Sequence, residues 1–518
     1  MDALLARAVT CAVVGLEGYV IQVEVDISPG LPRFTIVGLP DAAVQEARER
    51  VRAAIRNSGC EFPMRRITTN MAPADLPKAG PAYDLPIALA VLISSGQLPA
   101  APGLTMFLGE LSLDGTLRHT NGVLPMVAVA RDEGFETVFV PACDAGEAAL
   151  VEGVKVYPVE TLGHLLRHFR AECLIEPVSK DVSGASGLAR RREAAGKQGR
   201  EFELADVRGQ EHAKRALEVA ASGGHNLLMT GPPGSGKTLL ARCIPSIMPT
   251  MTYDEAIDVT KIYSVSGLLP SSSPFIDERP FRAPHYTISN AGLVGGGRIP
   301  RPGEVTLSHR GVLFLDELPE FGRNVLEVLR QPIEDRVVTI SRAQGTISYP
   351  ANFMLVAARN PCPCGFLNDT VKQCVCRPSE IARYSQRISG PLLDRMDLFV
   401  DVPRVEYEKL TGASDAERSE QVRDRVEASI QAQRERFDGT SLLNNSEMGP
   451  NEVWKFCQMD DAAKGLMKTA MSRMSLSARG FHRILKVSRT IADLSGEEVI
   501  SVSHLAEALQ YRQAAQMD

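Results

Sequence analysis

Three observations predict an α/β protein built from more than one domain. Between about residues 202 and 403, short apolar strands alternate with helical patterns, the mark of a parallel sheet with helices on its faces. The region before it, to about residue 172, mixes strand and helix signals, and beyond 404 the chain reads as almost entirely helical. At 518 residues the chain is too long for one hydrophobic core, so each region has length enough to bury its own.

In the first region, 1–172, "YVIQVEVDI" reads as a strand by its β-branched content. "AAVQEARERVRAAIRNSG" carries Val44, Ala47, Val51, Ala54 and Ile55 at helical spacing, with Gly59 as a stop. Residues 173–201 lose apolar periodicity and fill with Gly, Ser, Lys and Arg, the composition of a linker. The basic residues Arg190, Arg191, Arg192, Lys197 and Arg200 there read as solvated charge, with a nucleic-acid contact as the alternative. The parallel-sheet core is placed at 202–403 and a helical domain at 404–518. No internal repeat or long low-complexity tract interrupts this order.

Charge and cysteine content narrow the classes. Fifty-seven basic against 63 acidic residues leave a net charge of −6, so no global basic field announces a nucleic-acid partner, and any such contact must be local. The longest apolar run, "LPIALAVLIS" at 85–94, is too short for a bilayer, and the N-terminus has no clear cleavage pattern, so a cytoplasmic protein without membrane contact is expected. Ten cysteines are too few for a secreted disulfide scaffold. Six of them (Cys11, Cys60, Cys143, Cys173, Cys243, Cys457) stand singly and are expected to be buried small apolar residues.

The sharpest chemical signal is "NLLMTGPPGSGKTLLARC": a strand, the loop Gly231, Pro232, Pro233, Gly234, Ser235, Gly236, and the helix start Lys237, Thr238. Glycines let consecutive backbone N–H groups converge on phosphate oxygens, and the helix N-terminus adds its dipole. Lys237 reaches the β and γ phosphates and Thr238 can ligate magnesium, so ATP and Mg²⁺ are the expected ligands. "GVLFLDELPEF" supplies a buried strand ending in Asp316 and Glu317, one carboxylate for the magnesium shell and the next to orient the attacking water. A third strand, "FMLVAARN", ends at Asn360, placed as a polar sensor of the γ-phosphate.

Together with "RPFRAPHYTIS", "LVGGGRIPRPGEVTLSHRGVLFLDELPEF", "NPCPCG", "PLLDRMDLFVDVP" and "LSARGFHRILKVSRTIADLSG", these motifs resemble the ComM/YifB family of magnesium-chelatase-like AAA+ ATPases over nearly the whole chain. The resemblance implies an AAA+ P-loop core, a C-terminal helical lid and a homo-hexamer. It makes Arg395 in "LLDRMDL" an arginine finger reaching a neighbouring subunit's site, and Arg479 in "SARGF" the sensor-2 arginine of the lid. Physically, a guanidinium suits the charge that builds on a transferring phosphoryl group, although either arginine could serve a surface ion pair instead.

"PKAGPAYDLPIALAVL" and "LGELSLDGTLRHTNGVLP" resemble the proteolytic domain of Lon-type enzymes, whose nucleophile is a Ser after Gly-Pro, helped by a downstream Lys. Here Ala82 follows Gly80 and Pro81, and the Lys place falls about Leu124 or Pro125; Lys78 is no substitute by alignment. Without hydroxyl or amine no peptidase activity is expected, and the domain is given a binding or ring-organising role.

Cys362, Cys364, Cys374 and Cys376 crowd a loop directly after the sensor strand. Four thiolates from two close pairs suit tetrahedral structural zinc; free thiols and iron–sulfur or redox chemistry are the alternatives. A metal-tied loop there would be rigid enough to pass the state of the γ-phosphate onward. "RVVTISRAQGTISYP" reads as a hairpin turning near Ala343 to Gly345, with Arg342 beside its tip as a candidate phosphate contact in a ring pore; a solvated turn is the alternative. Arg298, in "LVGGGR", is a second candidate of that kind.

The family resemblance implies an ATP-dependent DNA branch-migration helicase that promotes integration of incoming single-stranded DNA by homologous recombination in natural transformation. Its partners would be single-stranded and branched DNA and recombination proteins. The alternative is a magnesium-chelatase-type ATPase subunit that remodels a protein partner. Against it, "DVSGAS" at 181–186 misses the spacing of an integrin-type metal site. A protein-unfolding motor is disfavoured because the hairpin tip carries no aromatic gripping residue.

Overall fold

The computed structural model describes residues 5–513 apart from 40, 77, 79, 81, 101–102, 179–201, 271–272, 298–299, 343–344, 370, 406–416 and 475. The chain forms two units, Met1–Lys197 with Tyr253–Asp277, and Gln198–Thr252 with Glu278–Asp518. Most of the linker, with its basic cluster and "DVSGAS", lies outside the described residues.

The first unit is organised by β1 (Ala6–Val14), β2 (Glu17–Ser28), β3 (Arg33–Val37), β4 (Arg66–Ala72), β5 (Thr105–Phe107), a small hairpin of β6 (Glu110–Leu111) and β7 (Leu117–Arg118), then β8 (Thr137–Pro141) and β9 (Lys155–Val159). Seven of these make a mixed sheet in the order β3-β4-β2-β1-β5-β8-β9. The β2 strand contains "YVIQVEVDI", with Ile21, Val23 and Val25 buried at period two. The helix Ala42–Asn57 begins where the Asp41 carboxylate accepts the Val44 N–H at 2.8 Å, and it buries Val44, Ala47, Val51, Ala54 and Ile55 completely. Gly59, at φ 80°, stops it. "LPIALAVLIS" lies in a helix, Asp84–Ser94, nearly all of it buried: it is apolar all round because protein surrounds it. Among the described residues no helix is long and apolar enough to cross a membrane.

Residues 253–277, inside the stretch read as the nucleotide core, pack with this first unit. Their helix, Tyr253–Ser266, is pinned at both ends: the Tyr253 hydroxyl donates to the Leu150 carbonyl at 2.7 Å, and Ser264 Oγ donates to the Glu147 carboxylate at 2.5 Å.

The second unit holds β10 (Leu227–Thr230), β11 (Phe281–Arg282), β12 (Gly295–Gly296), β13 (Arg301–Pro302), β14 (Val312–Leu315), β15 (Val337–Arg342), β16 (Gly345–Pro350), β17 (Met354–Arg359) and β18 (Leu398–Asp401). Five strands form an all-parallel sheet in the order β11-β14-β17-β10-β18. The β14 and β17 strands are buried at every position, as continuous apolar runs require when protein covers a parallel sheet. Leu217 and Val219 of the helix Glu211–Gly223, and Leu240 and Ile244 of the helix Lys237–Ile247, share one core with these strands. That core continues into the helices Ser419–Arg436, Asp461–Arg473, Ala478–Leu494 and Val502–Gln513, which bear out a helical C-terminal region.

The expectation for the single cysteines needs correcting. Cys11, Cys243 and Cys457 are buried, but Cys60 is half-buried and Cys143 and Cys173 are exposed. Cys60 and Cys173 follow helix ends and Cys143 lies inside a short 3-10 turn, where the chain runs at the surface rather than through a core.

Candidate active site

The phosphate loop leaves the sheet at the C-terminal end of β10, between its two parallel neighbours β17 and β18. Gly231 is required sterically: a Cβ there would stand 2.1 Å from the Val402 carbonyl oxygen. Gly234 and Gly236 have φ of 76° and 93°, which turn the backbone in the left-handed region before the helix starts. Ser235 Oγ is buried with no hydrogen-bond partner among the described residues, a polar atom suited to a phosphate oxygen. Gln210 braces the loop from outside, donating to the carbonyls of Ser235 at 3.5 Å and Pro403 at 2.5 Å.

Lys237 is buried, and its ammonium donates to the carbonyls of Gly231 at 2.8 Å and Pro232 at 2.9 Å and to Asn360 Oδ1 at 3.3 Å. Burial lowers its pKa, while Asp316 and Glu317 work to raise it. Thr238 Oγ1 donates to Asp316 Oδ2 at 2.7 Å, so hydroxyl and carboxylate already stand side by side. That hard oxygen pair fits a magnesium ion, which would neutralise phosphate charge there. The Glu317 N–H donates to Asp316 Oδ1 at 2.9 Å, and Glu317 itself is exposed, with φ 51° and ψ 47°. A non-glycine residue held in this region costs energy, and such residues gather at functional sites.

Arg395 and Arg479 lie elsewhere in the unit. Both line a cavity of about 220 Å³ whose walls include no residue of the phosphate loop. Arg336, Arg483 and Lys486 also line it, facing the carboxylates Glu334, Asp394 and Asp397, so basic groups outnumber acidic ones there. Arg395 is buried against Glu334 at 2.5 Å, whereas Arg479 is exposed at the start of the helix Ala478–Leu494. Asp397 anchors that helix to the sheet: its carboxylate takes Arg483 Nη1 at 2.5 Å and the Asn226 N–H at 3.0 Å, one residue before β10. Burial works against the carboxylate, but Arg483, His225 and Lys486 outweigh it and hold its pKa well below the usual range. The contribution to stability is therefore present above the ordinary carboxylate pKa and lost as pH falls through the depressed one. Asp397→Ala should destabilise the fold by about 3 kcal/mol in urea unfolding at pH 7, with the difference from wild type shrinking below about pH 4.

The four clustered thiols meet in the loop that follows β17. Cys362 Sγ lies 3.4 Å from Cys364 Sγ and 3.7 Å from Cys374 Sγ, Cys364 Sγ lies 3.6 Å from Cys374 Sγ, and all four sulfurs fall within 4.8 Å of one another. Four sulfurs around one zinc at bond lengths of about 2.3 Å stand about 3.8 Å apart, so the cluster fits a tetrahedral thiolate site. Burial opposes ionisation of Cys364, but backbone N–H groups of Val375 and Phe366 and the neighbouring thiols outweigh it and lower its pKa to about 6.

In the first unit, Ala82 is buried and offers only a methyl group. Leu124 and Pro125 sit in the helix Val123–Asp132, where the Leu124 N–H donates to Glu147 Oε1 at 2.7 Å. Lys78 is buried, with its ammonium donating to the Pro73 carbonyl. The hairpin expected at 336–350 forms from β15 and β16, with Arg342 paired to Gly345 in the backbone register. Arg298 and the Arg342 side chain lie outside the described residues.

Comparison with known proteins places the chain in a lineage. Family models match over residues 203–410 (magnesium chelatase, subunit ChlI), 23–144 (subunit ChlI of Mg-chelatase) and 416–512 (magnesium chelatase, subunit ChlI C-terminal). The chain is 43% identical over 512 residues to competence protein ComM of Haemophilus influenzae, covering 98% of this chain and 97% of that one. The chain belongs to the ComM/YifB family. YifB of Escherichia coli is 41% identical over 506 residues, 97% of this chain and 96% of that one. A more distant similarity, 31% over 188 residues, links the chain to Lon protease 2 of Bacillus subtilis, covering 34% of this chain and 30% of that one. The family is one of magnesium-chelatase-like AAA+ ATPases, and the α/β fold with a parallel-sheet core, a helical C-terminal region and Lon-like similarity is the one expected.

Within this family frame, several residues escape a reading of the sequence alone. Gln210, Glu334, Asp397 and Arg483 act on partners tens to hundreds of positions away and carry no local motif. Only Asp397, standing in "LLDRMDL" beside the candidate finger, had a signal that could have drawn notice.

Proposed function

We propose that this chain is an ATP-driven motor that assembles as a ring of six and moves branch points in DNA, promoting integration of incoming single-stranded DNA by homologous recombination during natural transformation. The observation that carries the ring is the separation of Arg395 and Arg479 from the chain's own phosphate loop. If these two guanidiniums act at a γ-phosphate, it is then the next subunit's, as in a head-to-tail assembly. The DNA substrate rests on the near-full-length likeness to a competence protein and on the β15–β16 hairpin, whose tip would line the pore.

In this reading, backbone N–H groups of 231–236 and Lys237 hold the ATP phosphates, and Thr238 and Asp316 hold magnesium. Glu317 orients the attacking water and takes its proton, Asn360 senses the γ-phosphate, and zinc closes the loop of Cys362, Cys364, Cys374 and Cys376. Arg298 and Arg342 are the proposed DNA contacts, the motor works in the cytoplasm, and the first unit has no peptidase role.

Strand displacement on a labelled three-strand junction tests the proposal. Wild type should move the branch with ATP, Lys237→Ala and Glu317→Gln should not, and binding to the junction should weaken steeply with salt. A wild-type chain that hydrolyses ATP yet leaves every junction intact would favour the second reading, a chelatase-type ATPase remodelling a protein partner, for which the magnesium-chelatase family matches speak.

A further inference from the structure

The cysteine loop and the phosphate loop touch. Directly after Asn360, whose Oδ1 accepts from Lys237, the chain turns at Cys362, and the Gly365 N–H closes that turn on the Cys362 carbonyl at 2.9 Å. Gly365 has φ 83°, and its bare Cα faces Pro233 of the phosphate loop. A Cβ built on Gly365 would lie 2.5 Å from Pro233 Cδ and 2.7 Å from Cγ. The turn therefore seats directly on the proline ring. That ring is bonded to its own backbone nitrogen and has no free rotor, so whatever pushes it moves the phosphate loop itself. Both ends of the turn's first half are cluster thiols, Cys362 being fully buried, and the third and fourth thiols return from ten and more positions downstream.

We infer that the four-cysteine site is a positioning element of the nucleotide site: closed on zinc, it fixes the Cys362–Gly365 turn against Pro233, and nucleotide affinity depends on that occupancy. The inference deepens the proposed reading and rests on it. An ordered turn holds the loop's N–H groups in one arrangement before nucleotide arrives, so less ordering remains to be done on binding. With the thiols unlinked, the turn and the proline above it gain freedom and that advantage is lost.

Two arms test this on the full chain, each read by zinc content and by the Kd of a fluorescent ATP analogue. Stripping zinc from wild type with a chelator, and restoring it with zinc chloride, should weaken and then recover binding by roughly tenfold. Gly365→Ala, which leaves all four thiols in place, should keep one zinc per chain and still bind the analogue roughly tenfold more weakly. A stripped chain with unchanged far-UV circular dichroism and unchanged Kd overturns the inference. So does Gly365→Ala at full zinc with wild-type Kd, or a wild-type chain that takes up no zinc. If one arm costs the fold, the other decides. A wild-type chain that binds no nucleotide sinks the nucleotide-site reading and the inference with it, whereas failure on DNA junctions alone leaves both arms readable.

Discussion

Glu317→Gln is expected to bind ATP within about twofold of wild type while hydrolysing it ~10²- to 10³-fold more slowly, the range a positioned general base contributes. The carboxylate that would hold magnesium, Asp316, is committed on both oxygens, to Thr238 Oγ1 and to the Glu317 N–H. Glu317 is the exposed neighbour, in a left-handed backbone conformation that aims its side chain differently from the strand before it. The amide keeps size and hydrogen-bonding capacity and removes only the basic oxygen, so a loss confined to turnover assigns the role. Lys237→Ala should differ by losing nucleotide binding as well, because the ammonium sits among loop carbonyls where phosphate charge would replace them as partners. Single-turnover hydrolysis beside equilibrium binding separates the two variants. A Glu317→Gln chain that turns over at the wild-type rate would move the water-orienting role elsewhere.

The parts of this site that a reader could find in the sequence are those whose chemistry needs neighbours along the chain. Phosphate binding demands glycines, a lysine and a hydroxyl within eight positions, since consecutive N–H groups must converge on one anion, and Gly231 to Thr238 is legible for that reason. Asp316 is legible because it is the first polar residue after an apolar buried strand, at the end of a parallel sheet where ligands bind, and Asn360 because it directly follows the last residue of a neighbouring buried strand, Arg359. What holds the site in place is another matter. Gln210 reaches Pro403 across 193 positions, and Arg483 reaches Asp397 across 86; no spacing rule connects them. The helix Tyr253–Ser266 could not be assigned to the first unit from sequence, because apolar residues such as Ala256, Val259 and Ile262 say only that they are buried, not against which sheet. The same limit applies to the single cysteines, whose composition alone could not distinguish Cys143 at the surface from Cys243 in the core.

Arg395→Ala should lower hydrolysis by ~10³-fold at nearly unchanged ATP affinity, the effect of removing a guanidinium that acts on the transferring phosphoryl group. Loss alone would not establish that the group acts on a neighbour, because Arg395 is also buried against Glu334 and donates to the Pro391 carbonyl. Mixing resolves this. A chain with Arg395→Ala keeps an intact phosphate loop, and a chain with Lys237→Ala keeps an intact arginine; each is inactive by itself. If the arginine works across a subunit boundary, a randomly mixed ring regains about a quarter of its sites, those in which an intact loop faces an intact arginine. If it works within its own chain, every site in the mixture lacks one essential group and no activity returns. Glu334→Gln separates the structural share of the effect: it releases Arg395 from its ion pair without removing the guanidinium, so a ring that uses Arg395 across the boundary should tolerate it. Recovery on mixing, with unfolding midpoints of both variants near wild type, would establish that the cationic cavity lined by Arg395 and Arg479 completes the next subunit's nucleotide site. An inactive mixture at wild-type stability would return both arginines to a role within their own chain and take away the main physical support for the ring.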